Sequence, residues 1–303
     1  MSNQHKEPMH PTDLELFQLC PEKYWRSKDP SVKRRYVSNA LIKGQAMHRW
    51  LAKYVAPDVP NYKALAGVQE LREIVFAVAE EYNQNEIELA GLVCDLGDLE
   101  IMATKVVEYV YEHGIKILHT ELTLPYKLCW LKYEDFEGTI DVVAVHPDTP
   151  EGMVEIWDYK TGQKFVENVL NRKLQFGHYY IAAGQRGMKV NRVFWAHCQD
   201  LIPRQKKSKY GNVGEPKGQF LYPVHISKED AETIMYWTGD IVAAINADIR
   251  YLSPGQLCQA CEYNDTCPRF KVGVSSESKN GMRFEANQDK QAELERKLME
   301  ESQ

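Results

Sequence analysis

The chain has 303 residues, of which 44% are hydrophobic and 26% are charged, so it is long enough to bury one large core. It contains no apolar run near the roughly 20 residues that span a bilayer, and its N-terminus lacks a signal-peptide pattern, so we expect a cytoplasmic protein without a membrane partner. Seven cysteines in that compartment do not indicate a disulfide framework. They are therefore either metal ligands or buried core residues.

The net charge of −6 argues against a surface that is basic throughout, but the charge is unevenly spread. Residues 51–120 hold 12 acidic and 5 basic residues, a net of −7, which leaves about +1 for the rest of the chain. Two basic runs elsewhere are either a local nucleic-acid-binding footprint or solvated loops. They comprise Lys33, Arg34, Arg35, Arg204, Lys206, Lys207 and Lys209.

The N-terminal half predicts helices. Residues 1–11 are polar, and we expect a flexible N-terminus there. Apolar residues then recur at helical spacing in four segments. These segments are 12–25, 40–54, 64–82 and 98–113. Cys20 and Pro21 fall near the end of the first helix, His48 faces inward from the second, and the acidic stretch 51–116 is expected to be a helical insertion beside the core.

The pattern changes to strands after residue 116. Four segments rich in Val, Ile, Trp and Thr predict strands at 117–128, 137–146, 152–159 and 190–198. Residues 147–150 supply a turn, so the second and third strands are predicted to form an antiparallel hairpin. A helix is expected within 168–186. The fold class is therefore α/β, with a mixed sheet flanked by helices in one domain at 12–270, followed by a polar, flexible tail at 271–303.

Two aspartates and a lysine are placed for metal chemistry at one rim of the predicted hairpin. Asp141 ends one strand and Asp158 lies near the end of the next, so their carboxylates meet on the same side. Hard oxygen ligands of this kind suit Mg²⁺ or Mn²⁺. Lys160 is two residues beyond Asp158 and therefore shares its face of the strand. Its ammonium is expected to orient the attacking water or to stabilise charge on a phosphate.

Each of these residues also has an ordinary structural interpretation. His48 is then a core or surface histidine, Asp141 caps the hairpin, and Asp158 forms an exposed ion pair with Lys160. Any one of these alternatives is plausible alone. Their joint occurrence in one order and in suitable elements favours the chemical interpretation.

Four cysteines form a candidate metal-binding set that joins the two ends of the chain. Cys258-x2-Cys261-x5-Cys267 needs a fourth ligand, and Cys20, followed by Pro21, is the natural candidate. Thiolates at this spacing suit either zinc or an iron-sulfur cluster. The other cysteines sit among apolar or aromatic neighbours and are predicted to be core residues. They are Cys94, Cys129 and Cys198.

Taken together, these motifs resemble the RecB-like branch of the PD-(D/E)XK nucleases. Residues 44–48 resemble the first motif of that branch, 138–141 the second and 158–160 the third. The resemblance implies that the Mg²⁺ or Mn²⁺ ligands are His48, Asp141, Asp158 and the backbone carbonyl of Tyr159. It also covers Gln175 and Tyr179, which resemble a QxxxY motif that positions the DNA strand, and Glu121, which is placed like an acidic residue before the second motif.

The early cysteine and the late cysteine run are similar to the iron-sulfur form of these nucleases, found in the AddB nuclease domain and in CRISPR spacer-acquisition nucleases. That similarity implies a [4Fe-4S] cluster at the four cysteines, with structural zinc as the second choice. The cluster is then expected to close the long loop between the ends of the chain rather than to take part in hydrolysis.

The resemblance implies a metal-dependent DNA nuclease that hydrolyses phosphodiester bonds, acting as an exonuclease on single-stranded DNA or duplex ends in recombination, repair or phage DNA metabolism. The chain has no G-x-x-x-x-G-K-[ST] loop, so unwinding requires a partner such as a helicase, a single-strand-binding protein or an annealing protein. Two alternatives stay open. One is a DNA-end-binding or assembly subunit, and the other is a redox-sensing iron-sulfur protein.

Overall fold

The computed structural model describes residues 8–32, 34, 36–83, 88–89, 96–128, 135–162, 174–205, 212–253, 258, 261–263 and 267. Several residues predicted from sequence to matter lie outside these ranges. They are Lys33, Arg35, Lys206, Lys207, Lys209, Cys94, Cys129 and the tail 271–303. The chain divides into two compact units, Met1–Ser253 and Pro254–Gln303, and all the helices and strands named below belong to the first.

A mixed five-stranded sheet forms the centre of the first unit. Two short strands, β1 (Tyr36–Val37) and β2 (Glu88–Leu89), pair in parallel outside it. The sheet strands are β3 (Lys116–Tyr126), β4 (Phe136–Val145), β5 (Met153–Lys160), β6 (Lys189–His197) and β7 (Leu221–Val224). They lie in chain order, with β5 and β6 parallel and the other neighbours antiparallel. The four predicted strands and the predicted hairpin are confirmed as β3 to β6.

Helices cover the sheet. They are α1 (Pro11–Leu19), α2 (Pro21–Lys28), α3 (Asn39–Tyr54), α4 (Asn61–Ala66), α5 (Leu71–Asn83), α6 (Gly97–Glu112), α7 (Leu174–Gln185) and α8 (Lys228–Asn246). The described helices include none that is long and apolar enough to cross a membrane. The predictions for α3 and α6 are confirmed to within two residues at each end.

Two of the predicted helices are in fact broken. The segment 12–25 is split because Cys20 is extended, with φ −163° and ψ 106°, and Pro21 starts a new helix. The segment 64–82 is interrupted by a short 3₁₀ turn at Gly67–Glu70. Trp50 donates its indole N–H to the Gly67 carbonyl at 2.8 Å, and the Tyr54 ring occupies the space of a side chain at Gly67. Packing against α3 therefore sets this break.

Each face of the sheet carries its own hydrophobic core. Helices α3, α5 and α6 pack on one face, where Trp50, Leu71, Leu99, Trp157 and Phe194 are buried. Helices α1, α7 and α8 pack on the other face, where Leu14, Phe176, Ile234, Ile156 and Trp195 are buried. The acidic segment at 51–116 is thus built into the first core through its apolar residues. The result is a three-layer α/β/α arrangement.

The side chains of β5 alternate between these two cores, and this alternation sets the side of the sheet on which its polar residues lie. Ile156 enters the second core, whereas Trp157 and Tyr159 enter the first. Because successive strand residues point to opposite faces, Asp158 and Lys160 share the α7 side of the sheet. The described pairing of β4 with β5 ends at Val142 and Trp157, so the ladder stops just before Asp158 and Lys160.

Candidate active site

The site lies in the fork between β4 and β5. Beyond the last described ladder pair, Asp141 is 7% exposed, and its Oδ2 accepts the Tyr159 backbone N–H at 2.6 Å. A buried amide needs an acceptor, and here the carboxylate takes the place of a carbonyl of the neighbouring strand. The sequence predicts that the ends of these two strands lie side by side. In the structure they are joined directly, because the Asp141 carboxylate accepts the backbone N–H of Tyr159, the residue after Asp158.

His48 reaches the same fork from α3. Its Nε2 lies 3.1 Å from the Tyr159 carbonyl oxygen, and its Nδ1 lies 3.4 Å from Asp141 Oδ1. A carbonyl only accepts, so Nε2 donates. Burial alone would lower the pKa of His48, but Asp141, Glu121 and Asp158 raise it to about 10. In the metal-free protein the ring is therefore a cation at neutral pH, and it competes with a metal for the same carboxylates.

Gly44 lies on α3 next to the residue that follows β5. A Cβ atom at Gly44 would lie 3.4 Å from Thr161 Oγ1, which is close to ordinary van der Waals contact. Gly44 and His48 are one helical turn apart on the same face. This face of α3 therefore borders the end of β5. The exposed side of this part of α3 borders an open groove of about 670 Å³, which also includes Glu121.

Glu121 joins the site through an unusual backbone conformation. It lies opposite Asp141 in the β3–β4 register and has φ +47°, in the left-handed region that a glutamate rarely adopts. Such conformations persist where surrounding structure imposes them and are frequent at functional sites. The Glu121 carboxylate lies 3.7 Å from His48 Nδ1. His48, Glu121 and Asp141 offer ligand atoms that all lie within 4.8 Å of one another.

Asp158 is 1% exposed and makes an ion pair with Lys160, whose Nζ lies 2.5 Å from Oδ2. Within the described part of the chain, neither carboxylate oxygen accepts a hydrogen bond of acceptable geometry. Burial raises the pKa of Asp158 to about 6, with Asp141 adding to this effect and Lys160 and His48 opposing it. Burial lowers the pKa of Lys160, but Asp158, Asp141 and Glu15 outweigh it and raise that pKa overall.

Helix α7 carries two further candidate site residues. Gln175 donates its side-chain amide to Tyr179 Oη at 2.7 Å, so the two residues of the predicted QxxxY motif contact each other. Gln175 also donates its backbone N–H to Glu15 Oε1 at 3.3 Å. Glu15, on α1, thus holds the first turn of α7, where helix N–H groups lack helical acceptors. Sequence reasoning missed Glu15 because an acidic residue on an amphipathic helix carries no signal of its partner.

The other predicted site residues have varied surroundings. Arg204 donates to the Lys217 carbonyl of its own loop, and Arg34 is partly exposed. Cys20 is partly exposed, as are Cys258, Cys261 and Cys267 in the second unit. Cys198 is buried, as predicted.

The donor set fits a hard divalent cation. The cluster of His48, Glu121 and Asp141 offers two carboxylates and one imidazole, and the Tyr159 carbonyl and Asp158 lie nearby. Carboxylate and carbonyl oxygens are the ligands that Mg²⁺ and Mn²⁺ prefer, so the set is mainly of the hard type, with one nitrogen ligand. A cation would offset the cost of burying the Asp158 carboxylate, whose pKa is raised by burial, and the crowding of negative charge around His48. Of the predicted ligands, His48 and Asp141 lie together with Glu121, and His48 also reaches the Tyr159 carbonyl. Asp158 is not part of this cluster of three and instead pairs with Lys160.

Comparison with known proteins agrees with this geometry. A search of curated proteins found no match. A scan against protein families matches residues 8–268 to the PD-(D/E)XK nuclease superfamily. That match includes α1, every strand of the sheet and all the residues of the fork. The chain therefore belongs to the PD-(D/E)XK nuclease superfamily.

Proposed function

We propose that this protein is a Mg²⁺- or Mn²⁺-dependent DNA nuclease that hydrolyses phosphodiester bonds. The observation that carries the proposal is the fork itself. His48, Glu121 and Asp141 offer ligand atoms within 4.8 Å of one another there, and His48 also reaches the Tyr159 carbonyl. The buried Asp158, paired with Lys160, lies close enough to raise the pKa of His48. Membership of a superfamily of nucleases supports the same reaction class.

The chain's own residues would divide the chemistry as follows. His48, Glu121, Asp141, Asp158 and the Tyr159 carbonyl would hold the cation, which supplies Lewis-acid activation of water and charge neutralisation at the scissile phosphate. Asp141 also holds the backbone of Tyr159, because its carboxylate accepts the Tyr159 N–H.

Lys160 and α7 would act on the substrate. The Lys160 ammonium would face the phosphate, where it would orient the attacking water or stabilise the developing charge. Gln175 and Tyr179 share a helix face one turn apart on the Lys160 side of the sheet, and they would shape the path of the strand.

We further propose exonuclease action on single-stranded DNA or duplex ends, and a [4Fe-4S] cluster held by four cysteines. The sequence resemblance supports both, and zinc is the alternative occupant of the cysteine site. The cysteines are Cys20, Cys258, Cys261 and Cys267. A helicase, a single-strand-binding protein or an annealing protein would supply unwound DNA in the cytoplasm.

A second candidate function is DNA-end binding or assembly with little cutting. The set of polar residues at the fork argues against it, because a purely structural role does not require the fully buried Asp158 to be paired with Lys160. Metal-dependent turnover separates the two functions.

The test uses oxygen-free purified protein and oligonucleotides labelled at the 5′ or the 3′ end, single-stranded and duplex. The proposal predicts degradation with Mg²⁺ or Mn²⁺ that EDTA stops and that is lost in Asp158→Ala and in Lys160→Ala. Whether the 5′ or the 3′ label is released first shows the direction in which the protein digests DNA. Intact DNA under all conditions, with DNA still bound, would establish the binding role, and cleavage that survives Asp158→Ala would refute the assigned site.

A further inference from the structure

A second buried histidine lies beside the candidate active site and has no role in the chemistry proposed above. His197 ends β6, and in the parallel register it is the partner of Lys160 on β5. It is only 2% exposed. The surroundings of its two ring nitrogens indicate what it does.

One ring nitrogen holds the chain just after Lys160. His197 Nε2 lies 2.8 Å from the Gly162 carbonyl oxygen. Because a carbonyl accepts and never donates, Nε2 carries a proton and donates it to this bond. Gly162 lies two residues beyond Lys160, the last residue of β5, so this bond holds the chain just after the strand.

The other ring nitrogen faces a carboxylate that is itself fixed. His197 Nδ1 lies 3.2 Å from Asp200 Oδ2, and Tyr222 donates its hydroxyl to the same oxygen at 2.5 Å. Gly218 gives Asp200 room, because a Cβ at Gly218 would lie 2.6 Å from Oδ2. The contact between Nδ1 and Asp200 is not a hydrogen bond of acceptable geometry, so within the described residues the Gly162 carbonyl is the hydrogen-bond partner of this ring.

The contacts place Lys160 between two backbone anchors. On its N-terminal side the Tyr159 peptide is held by Asp141 at its N–H and by His48 at its carbonyl. On its C-terminal side the Gly162 carbonyl is held by His197. We propose that His197 is a positioning residue that fixes, through its bond to the Gly162 carbonyl, the backbone segment that carries Lys160. The proposal rests on the proposed nuclease function and deepens it.

Two substitutions separate the hydrogen bond from the ring's volume. His197→Phe keeps a ring but removes the donor, whereas His197→Gln keeps a donor near the Nε2 position. A small misplacement of a reacting group costs about 10- to 100-fold in rate. We expect kcat on a labelled oligonucleotide to fall by about that factor in His197→Phe, with KM within about threefold of wild type. His197→Gln should regain most of the loss.

A readout independent of cleavage comes from hydrogen exchange of the metal-free, full-length protein. In His197→Phe the amides of residues 159–162 should exchange at least about tenfold faster, with the rest of β5 and β6 unchanged, and His197→Gln should restore protection. Val193→Ala, a buried change in the same strand, is the matched control and should lower stability without this local effect. If His197→Phe is too unstable, the double variant with Asp200→Asn removes the negative charge that would otherwise lie beside the apolar ring.

The outcomes are distinguishable. If wild-type protein shows no metal-dependent cleavage, the proposed function fails, and the exchange pattern still decides whether His197 anchors the backbone. If wild type cleaves DNA and His197→Phe keeps both kcat and local protection, the anchor does not exist. Equal losses in His197→Phe and His197→Gln at equal thermal stability would also overturn the proposal, because the donor would then be irrelevant.

Discussion

At the scale of single residues, Asp141 and Asp158 are both buried carboxylates but have opposite environments. Asp141 accepts the Tyr159 amide and contacts His48. Asp158 has Lys160 beside it, but within the described residues its oxygens accept no hydrogen bond of acceptable geometry. A buried charge without hydrogen bonds costs free energy that an ion pair only partly offsets. Asp158 is therefore expected to destabilise the metal-free protein, and Asp141 to stabilise it.

A matched pair of variants tests this difference. In EDTA at pH 7, Asp158→Asn should raise the free energy of unfolding by about 1 kcal/mol or more, which corresponds to a rise of about 2–4 °C in Tm for a unit of this size. Asp141→Asn should lower the free energy of unfolding by about 1–3 kcal/mol, because a charged acceptor is lost. Both should lose cleavage. Thermal denaturation checks the signs, and shifts in the same direction would contradict this account of the two carboxylates.

At the scale of elements, α7 connects the site to the rest of the fold. Its Gln175 and Tyr179 contribute to the site, while Gly177 faces α8 so closely that a Cβ there would lie 2.3 Å from Ile234 Cδ1. The next residue, His178, bonds to Tyr126 of β3 and to Thr238 of α8. The position of the candidate strand-guiding residues therefore depends on how tightly α7 packs against α8.

Gly177→Ala is expected to lower the free energy of unfolding by about 1–3 kcal/mol, because the added methyl group overpacks the α7–α8 contact. Ile234→Val removes the clashing Cδ1 atom and should recover part of the loss in the double variant. Gly184→Ala on the same helix meets nothing within 4 Å and should instead stabilise by about 0.5–1 kcal/mol. Urea denaturation measures all four proteins. Equal effects at the two glycines would contradict the packing argument.

His178 should make the protein less stable in acid. Thr238 donates to the Ile234 carbonyl, so it accepts from His178 Nε2, and His178 Nδ1 accepts from Tyr126. Burial lowers the pKa of this neutral ring from its ordinary value of 6.5 to about 3. The unfolded chain therefore gains a proton below pH 6.5 that the native protein gains only near pH 3, and native stability falls as pH falls through that window.

The contribution of His178 approaches about 1.4 kcal/mol of unfolding free energy per pH unit within that window. His178→Gln removes the titrating group, so its stability should depend less on pH between 7 and 4 than that of wild type. Urea denaturation at several pH values measures the difference. Identical pH dependence in both proteins would show that His178 is not held neutral by the fold.

At the scale of the whole molecule, the central sheet was predictable from sequence and several of its contacts were not. Runs of Val, Ile and Trp predicted β3 to β6, and the two-residue spacing of Asp158 and Lys160 predicted that both lie on one face of β5. Strand β7 was missed because it has four residues, one of them Pro223, and shows little pattern. The break at Gly67 depends on Trp50 and Tyr54, so only packing reveals it.

The candidate site also contains residues that the sequence indicates and residues that it does not. His48, Asp141, Asp158 and Lys160 were predictable because each lies in a short motif. Glu121 was only weakly indicated, because its contribution depends on a left-handed backbone conformation within a strand. Glu15 and His197 gave no signal, because their partners Gln175 and Gly162 are distant in sequence and meet them only in the folded chain.

The cysteine proposal is also tested on the whole molecule. Protein purified without oxygen should be brown and contain iron and sulfide, and Asp158→Ala should keep that colour. Cys261→Ala should lose both colour and solubility, because a cluster that joins distant parts of the chain contributes folding energy. Zinc in place of iron, with colourless and soluble protein, would establish the other occupant.

The central claim is that the carboxylates of the fork hold the cation on which cleavage depends. The most direct measurement is a calorimetric titration of Mn²⁺ into wild type, Asp141→Asn and the surface control Glu108→Gln, with the cleavage rate recorded at each Mn²⁺ concentration. The account predicts that cleavage rises with occupancy of a site in wild type and Glu108→Gln, and that Asp141→Asn loses the site and the cleavage together. Unchanged Mn²⁺ binding in Asp141→Asn, or cleavage that persists without it, would contradict the account.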